Sequence, residues 1–282
     1  MYTLKAKNRR GDILTLTNNP AYDLVSVEGL TPSTANIATS ALGQLDGTKF
    51  NSARLNERNI VLTVAPKSDI ETNRINLYRW FSPKQQVRIY YQNETRDIYV
   101  DGYVESMEGS LFDNPQSYTI SIICPSAYLI AAEEIVQAAN YTTALFEFPF
   151  SIEKSGIEIS TYDSVSTVVV NNESDIETGM IIELSAHGDV ENPKIYRRDT
   201  LENFALNFTM QAGDVIRIST TKGNKSVILT RDGTDTNIIN NIAKNITWFQ
   251  LEPGDNLFTY EATGGLQDLS ITFIYDRIYA GV

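Results

Sequence analysis

At 282 residues, with 42% hydrophobic and 21% charged content, the chain is long enough for one large domain or two ordinary ones and rich enough for a packed core. Lys and Arg total 23 against 35 Asp and Glu, a formal charge of −12, which argues against a nucleic-acid binder and against docking on anionic lipid. A single cysteine, Cys124, excludes an intramolecular disulfide and a Cys-rich metal site, and a single histidine, His187, excludes a zinc site built on two or more histidines.

The first ten residues carry no apolar run after their charges, and no stretch approaches the roughly 18–20 apolar residues of a membrane helix. A soluble protein made in the cytoplasm is expected. The dominant rhythm along the chain is period two, which predicts strands with one buried face. Strands are expected near Tyr22–Glu28 and Asn59–Val64. Between them, Gly29 to Glu57 is built of small and polar residues with a turn at Asp46-Gly47. A connection that long without a core of its own is uncommon in a compact domain. It reads either as a mobile surface loop or as an extended arm that finds its partners on a neighbouring subunit.

One helix is well signalled, over about 69–81. Ser68-Asp69-Ile70-Glu71 fits a capping box, Ile70, Leu77, Tyr78 and Phe81 share one face, and Pro83 stops the run. Strands follow at Val87–Tyr91 and Tyr118–Ile122, with a turn expected at Asp101-Gly102. After Cys124-Pro125, Ala131 to Asn140 is small and weakly helical, and a second strand series opens after Leu145–Phe150. Its members are Met180–Leu184, Val215–Ser219, Ser226–Leu229, Leu257–Tyr260 and Ser270–Tyr275, with an apolar strand at Trp248–Leu251. Lys222-Gly223-Asn224, Asp232-Gly233 and Pro253–Asn256 read as turns, and Asn237–Lys244 as one or two short helical turns. The reading is mainly β, in two domains: 1–130 with the only firm helix, a linker over 131–145, and 146–282.

Catalytic signatures are missing: there is no phosphate loop, dinucleotide fingerprint or nucleophile elbow. His187 reads as the end of a strand entering a turn, and Cys124 as a small buried apolar group. Glu105 with Glu108, or Glu133 with Glu134, are acid pairs that nothing in their spacing distinguishes from solvated surface. Asp232, Asp235 and Asn237 lack the glycine and terminal glutamate of a calcium loop. No enzyme, cofactor or metal is expected.

The ordered series Ile37–Ser40, Asp46–Asn51, Arg58–Leu62, Ile70–Lys84 and Cys124-Pro125, then Gly179–Leu184, Asn192–Tyr196, Gly213–Ile216 and Trp248–Asn256, resembles the phage distal tail proteins of the siphovirus-type tail component family. The resemblance spans essentially the whole chain. It implies an N-terminal β-barrel-like domain with one helix and an extended arm, followed by a galectin-like β-sandwich. It also implies a homohexameric ring at the tail tip of a virion, joining the tail tube protein to the tail hub or tail-associated lysin. In some members receptor-binding proteins attach as well. On this reading 29–57 is a belt arm gripping the next subunit, with Thr39, Ser40, Asp46, Gly47, Phe50 and Asn51 at the interface. No membrane is involved, DNA only passes through the ring, and the acidic balance suits such a conduit. The alternative role is a carbohydrate-binding module acting in host adhesion. Against galactoside binding, His187–Lys194 has the wrong spacing for the galectin pattern, with Lys194 where a forked Arg is wanted.

Overall fold

Alternating burial governs most of the described strands, because one face meets a core and the other meets water. The computed structural model describes residues 2–43, 46–109, 111–139, 141–144, 160–163 and 167–282. Two compact units result: Met1–Glu133 together with Ile278–Val282, and Glu134–Arg277.

In the first unit the strands are β1 (Thr3–Asn8), β2 (Ile13–Thr15), β3 (Tyr22–Glu28), β4 (Ala35–Ala41), β5 (Thr48–Leu55), β6 (Arg58–Pro66), β7 (Gln86–Gln92), β8 (Asp97–Gly109), β9 (Tyr118–Cys124) and the start of β10 (Leu129–Ala138). Helix α1 spans Ile70–Trp80. The barrel-like sheet runs β3-β6-β9-β8-β7-β1-β2, with every neighbour antiparallel. Bulges between Leu24 and Ser26 and between Val104 and Ser106 bend it. Strand β8 is long enough to pair with β7 along its first half and with β9 along its second.

Leu77 and Phe81 of the helix region are fully buried in the core that this sheet lines. The capping box does not form. Asp69 takes the N-cap position in the left-handed region, and no side chain caps the helix. Glu71 binds Arg74 instead of reaching back to the N-terminus. Ile70 and Tyr78, expected on the buried face, are exposed, so the apolar contact is confined to the last turns.

Two further expectations are corrected. Asp101-Gly102 is no turn but the middle of β8. A Cβ on Gly102 would sit 2.6 Å from the Ile122 side chain and 2.7 Å from Cys124 Sγ, so the glycine serves close packing against β9. Ala131 to Asn140 is strand rather than helix through Ala138: β10 pairs Ile130 with Tyr99 and Ala131 with Ile98. Strand pairing overrides the local helical propensity of its alanines and glutamates.

The second unit continues with β11 (Tyr141–Ala144), β12 (Ser160–Asp163), β13 (Thr167–Asn172), β14 (Ile181–Ala186), β15 (Val190–Glu191), β16 (Lys194–Arg197), β17 (Asn203–Ala205), β18 (Thr209–Met210), β19 (Val215–Ser219), β20 (Ser226–Arg231), β21 (Thr234–Asn237), β22 (Gly254–Glu261) and β23 (Leu269–Tyr279). The expected strand opening at Leu145–Phe150 lies outside the described residues. One sheet runs β13-β22-β16-β17, and β23-β14-β19-β20-β21 forms the other. Their inner faces share one core, in which Phe258 of the first sheet stacks on Phe273 of the second at 5.0 Å. Asp232 and Gly233, both at positive φ, form a two-residue hairpin. Trp248–Leu251 is not a strand: only Leu251 bridges, to Thr178, while Phe249 and Leu251 are buried.

Leu77→Ala removes a fully buried side chain at the helix–sheet contact and should lower unfolding free energy by about 2–5 kcal/mol. Urea denaturation measures it; a change below about 0.5 kcal/mol would place Leu77 outside the core.

Candidate functional site

Strands β4 and β5 pair only with each other among the described residues, and every residue in them is exposed. Their register sets Ala35 opposite Leu55, Ile37 opposite Ala53, Thr39 opposite Phe50 and Ala41 opposite Thr48. Directly opposed residues in an antiparallel pair share a face. One face of the hairpin is therefore apolar, led by Ile37, Phe50 and Leu55, which are 60%, 60% and 41% exposed. The other face carries Asn36, Ser40, Lys49, Ser52 and Arg54.

A bulge makes this separation possible. Phe50 and Leu55 are five residues apart, so strict alternation would put them on opposite faces. The register shift between Ala38 and Thr39 leaves Asn51 as the extra residue and returns Phe50 to the side of Leu55.

Of the residues singled out from sequence, Thr39 and Phe50 are cross-strand partners on the apolar face, and Ser40 donates to Asn51 Oδ1 at 3.3 Å. Asp46 and Gly47 lie in the bend between the strands, Gly47 with φ of 93°. The structure thus gathers all six on one hairpin.

The hairpin's root is built differently. Asn56 donates through its backbone N to the Thr34 carbonyl at 2.9 Å and through its amide to Thr34 Oγ1 at 3.1 Å. Beside it lies Arg58, only 2% exposed, the first residue of β6. Its guanidinium donates to the carbonyls of Gly29, Thr31, Ala127 and Ala280. The C-terminal segment closes the same knot: Val282 donates to the Leu30 carbonyl at 3.1 Å. Gly29 has φ of 84°, and a Cβ there would lie 1.9 Å from the Asn59 carbonyl oxygen, so only glycine fits.

Sequence reasoning passed over Arg58 as a structural centre, although a signal was present. Arg58 is in phase with Ile60, Leu62 and Val64, the buried positions of β6. A charge on an inward-facing position demands buried partners. Burial pushes the guanidinium below its ordinary range, yet arginine stays protonated at neutral pH. Cys124, paired with Arg58 across β6 and β9, is buried as expected, and burial pushes its thiol up to about 12.

In the second unit, His187 is exposed, with its Nε2 3.0 Å from Ser270 Oγ. Lys194 sits over the Tyr196 ring at 4.1 Å and pairs with Glu261 at 3.5 Å. Trp248 packs edge-on against Phe204 at 5.0 Å, half-buried against the core. Asp235 accepts from Thr230 Oγ1 at 2.6 Å.

Residues 173–279 match the family model described as siphovirus-type tail component, C-terminal domain. The matched segment covers most of the described second unit: all of the β23-β14-β19-β20-β21 sheet and three of the four strands of the other, β13 lying just before it. The chain as a whole is similar in fold to the crystal structure of the SPP1 Dit protein, described as a paradigm of the hub adsorption apparatus in phages that infect Gram-positive bacteria. The identity is 12%, 99% of each chain is covered, and the TM-score is 0.70. It is also similar to a chain of the phage P2 baseplate in its activated conformation with calcium, at 12% identity, 98% coverage of each chain and a TM-score of 0.51. No curated protein matches the sequence at a significant level.

Arg58→Met keeps the apolar stem but removes the donor to four part-buried carbonyls, of which that of Ala127 keeps another partner, Ser33 Oγ at 3.1 Å. It should cost about 3–5 kcal/mol in chemical denaturation and speed amide exchange at Val282, whose acceptor is held by the same knot. The Cys124 thiol gives a separate expectation. Unfolded, it ionises near 9, and folded near 12, so between those values the unfolded chain binds fewer protons. Stability should fall as pH rises through that window, by up to about 1.4 kcal/mol per pH unit. Cys124→Ala should flatten that slope, and native protein should resist thiol alkylation until it unfolds.

Proposed function

We propose that this protein is a structural distal tail protein of a phage, acting in the tail-tip or baseplate assembly. Six copies close head to tail into a ring through the β4–β5 hairpin. The ring joins the tail tube to the hub and host-adsorption apparatus, and DNA passes through it. The observation that carries this reading is the hairpin itself: an exposed two-stranded element with an apolar face, on a root rigidified by Arg58. A two-stranded hairpin is marginal alone in water, and an exposed apolar face marks a surface meant to be covered. A head-to-tail contact of this kind closes into a ring when its rotation permits. The tail-component domain and the fold shared with the SPP1 hub adsorption protein support the location.

The role is structural rather than catalytic. The carbohydrate-binding alternative has its candidate residues engaged elsewhere, Trp248 against Phe204 and Lys194 with Tyr196 and Glu261, and it is not the reading adopted.

Because Thr34 and Asn56 already hold each other, replacing 35–55 by two glycines should leave both units folded. Light scattering and negative-stain imaging should show rings for the natural chain and monomers for this variant, with the denaturation midpoint unchanged. Ile37→Asp/Phe50→Asp should have the same effect, since it puts charge on the apolar face. Rings that persist in both variants would remove the hairpin from the contact. A natural chain that stays monomeric at every concentration would remove the ring.

A further inference from the structure

In a chain of net charge −12, one concave surface of the first unit runs the other way. A cleft of about 1300 Å³ opens between the β1–β2 turn, the last turns of α1 and the turn that follows the helix. Arg9, Arg10, Arg79 and Lys84 line it, with a single carboxylate, Asp12. Asp12 is occupied locally, accepting from the Asn8 side chain at 2.9 Å. The four cations are exposed, and none has an ion pair with a described residue. By contrast Arg74, Arg88, Arg217, Arg231 and Arg277 all pair with a carboxylate.

Lys84 is placed at some cost. It follows Pro83 in a turn closed by Gln85 N donating to the Ser82 carbonyl, and its φ is 72°. Glycine or asparagine is the ordinary residue at that turn position. Its backbone N donates to the Val104 carbonyl at 2.8 Å, which fixes the turn and so the side chain's origin at the cleft.

We infer that this cleft docks a carboxylate-rich peptide segment of another protein. The volume exceeds the 300–1000 Å³ usual for small-molecule pockets, which suits a stretch of chain rather than a single ion. Arginine forks match carboxylates in geometry as well as sign. A long polyanion is disfavoured, because four cations in one hollow are fewer than the 6–10 phosphate contacts of a typical nucleic-acid binder. The acidic remainder of the surface would also repel DNA beyond the first Debye length, about 8 Å at physiological salt. A second copy of this chain is a poor source, since its only adjacent acidic pair is Glu133-Glu134. The inference stands independently of the ring and of the hairpin.

Fluorescence anisotropy with fluorescein-labelled octaglutamate, on the full-length protein at about 20 mM salt, tests it. Octaglutamate should bind, more tightly than labelled octathymidylate, and should be released as salt rises to about 200 mM. Arg9→Ser/Arg79→Ser/Lys84→Ser should weaken binding by at least about tenfold. Arg198→Ser/Lys225→Ser/Lys244→Ser, which removes the same charge elsewhere, should leave it unchanged. Absence of binding, equal loss in the two triple variants, tighter binding of octathymidylate, or a cross-link from Lys84 to a second copy of this chain would each overturn the proposal.

Discussion

The first unit depends on the burial of one guanidinium. Arg58 brings together carbonyls from Gly29 and Thr31 at the hairpin's root, Ala127 before β10, and Ala280 in the C-terminal segment. No carboxylate among the described residues shares the charge, so its desolvation is offset by four charge-assisted hydrogen bonds to main-chain oxygens. This arrangement is directional in a way that hydrophobic contact is not. Each carbonyl has to point at the same centre, which fixes the path of three separate stretches of chain at once.

The same anchoring bears on the hairpin. An arm with no core of its own can present a face reproducibly only if its root is immobile. The root is held by Arg58, by the Thr34–Asn56 pair and by Gly29, where any side chain would strike the Asn59 carbonyl. Beyond it, a single extra residue, Asn51, sorts the arm into an apolar and a polar face. The bulge is what makes the apolar face: without it Phe50 and Leu55 would lie on opposite sides, and neither face would be continuous.

The second unit follows different physics. Its stability rests on two sheets sharing an aromatic core, where Phe249, Phe258 and Phe273 form a run of ring contacts. Polar side chains there serve the main chain: Asn256, wholly buried, donates to Glu252 and Gly254 carbonyls and accepts from the Glu252 N, closing the turn that leads into β22. Groups that suggested chemistry from sequence are drawn into such structural bonds. The second unit is thus a sandwich in which these groups serve the fold, whereas the cationic cleft and the exposed apolar hairpin face belong to the first unit.

Much of this was legible from the amino acids. Period-two alternation located β6, β7, β9, β19, β20, β22 and β23, because burial of one strand face is a local pattern that each segment writes by itself. The long polar stretch after Gly29 stood out as a segment without a core of its own, and the lone Cys124 as a buried apolar position. What sequence could not supply were the features set by neighbours in space. Gly102 looked like a turn because glycine's usual role is local, whereas here Ile122 and Cys124 press against it from another strand. Ala131–Ala138 looked helical because its composition is, until pairing with β8 outweighed propensity. The position of the bulge, and therefore the apolar face of the arm, depended on a register that only the paired strands define. Arg58 announced by its phase that it would be buried. Its partners could not be read, because they are main-chain carbonyls, which every residue carries alike and only the folded path brings together.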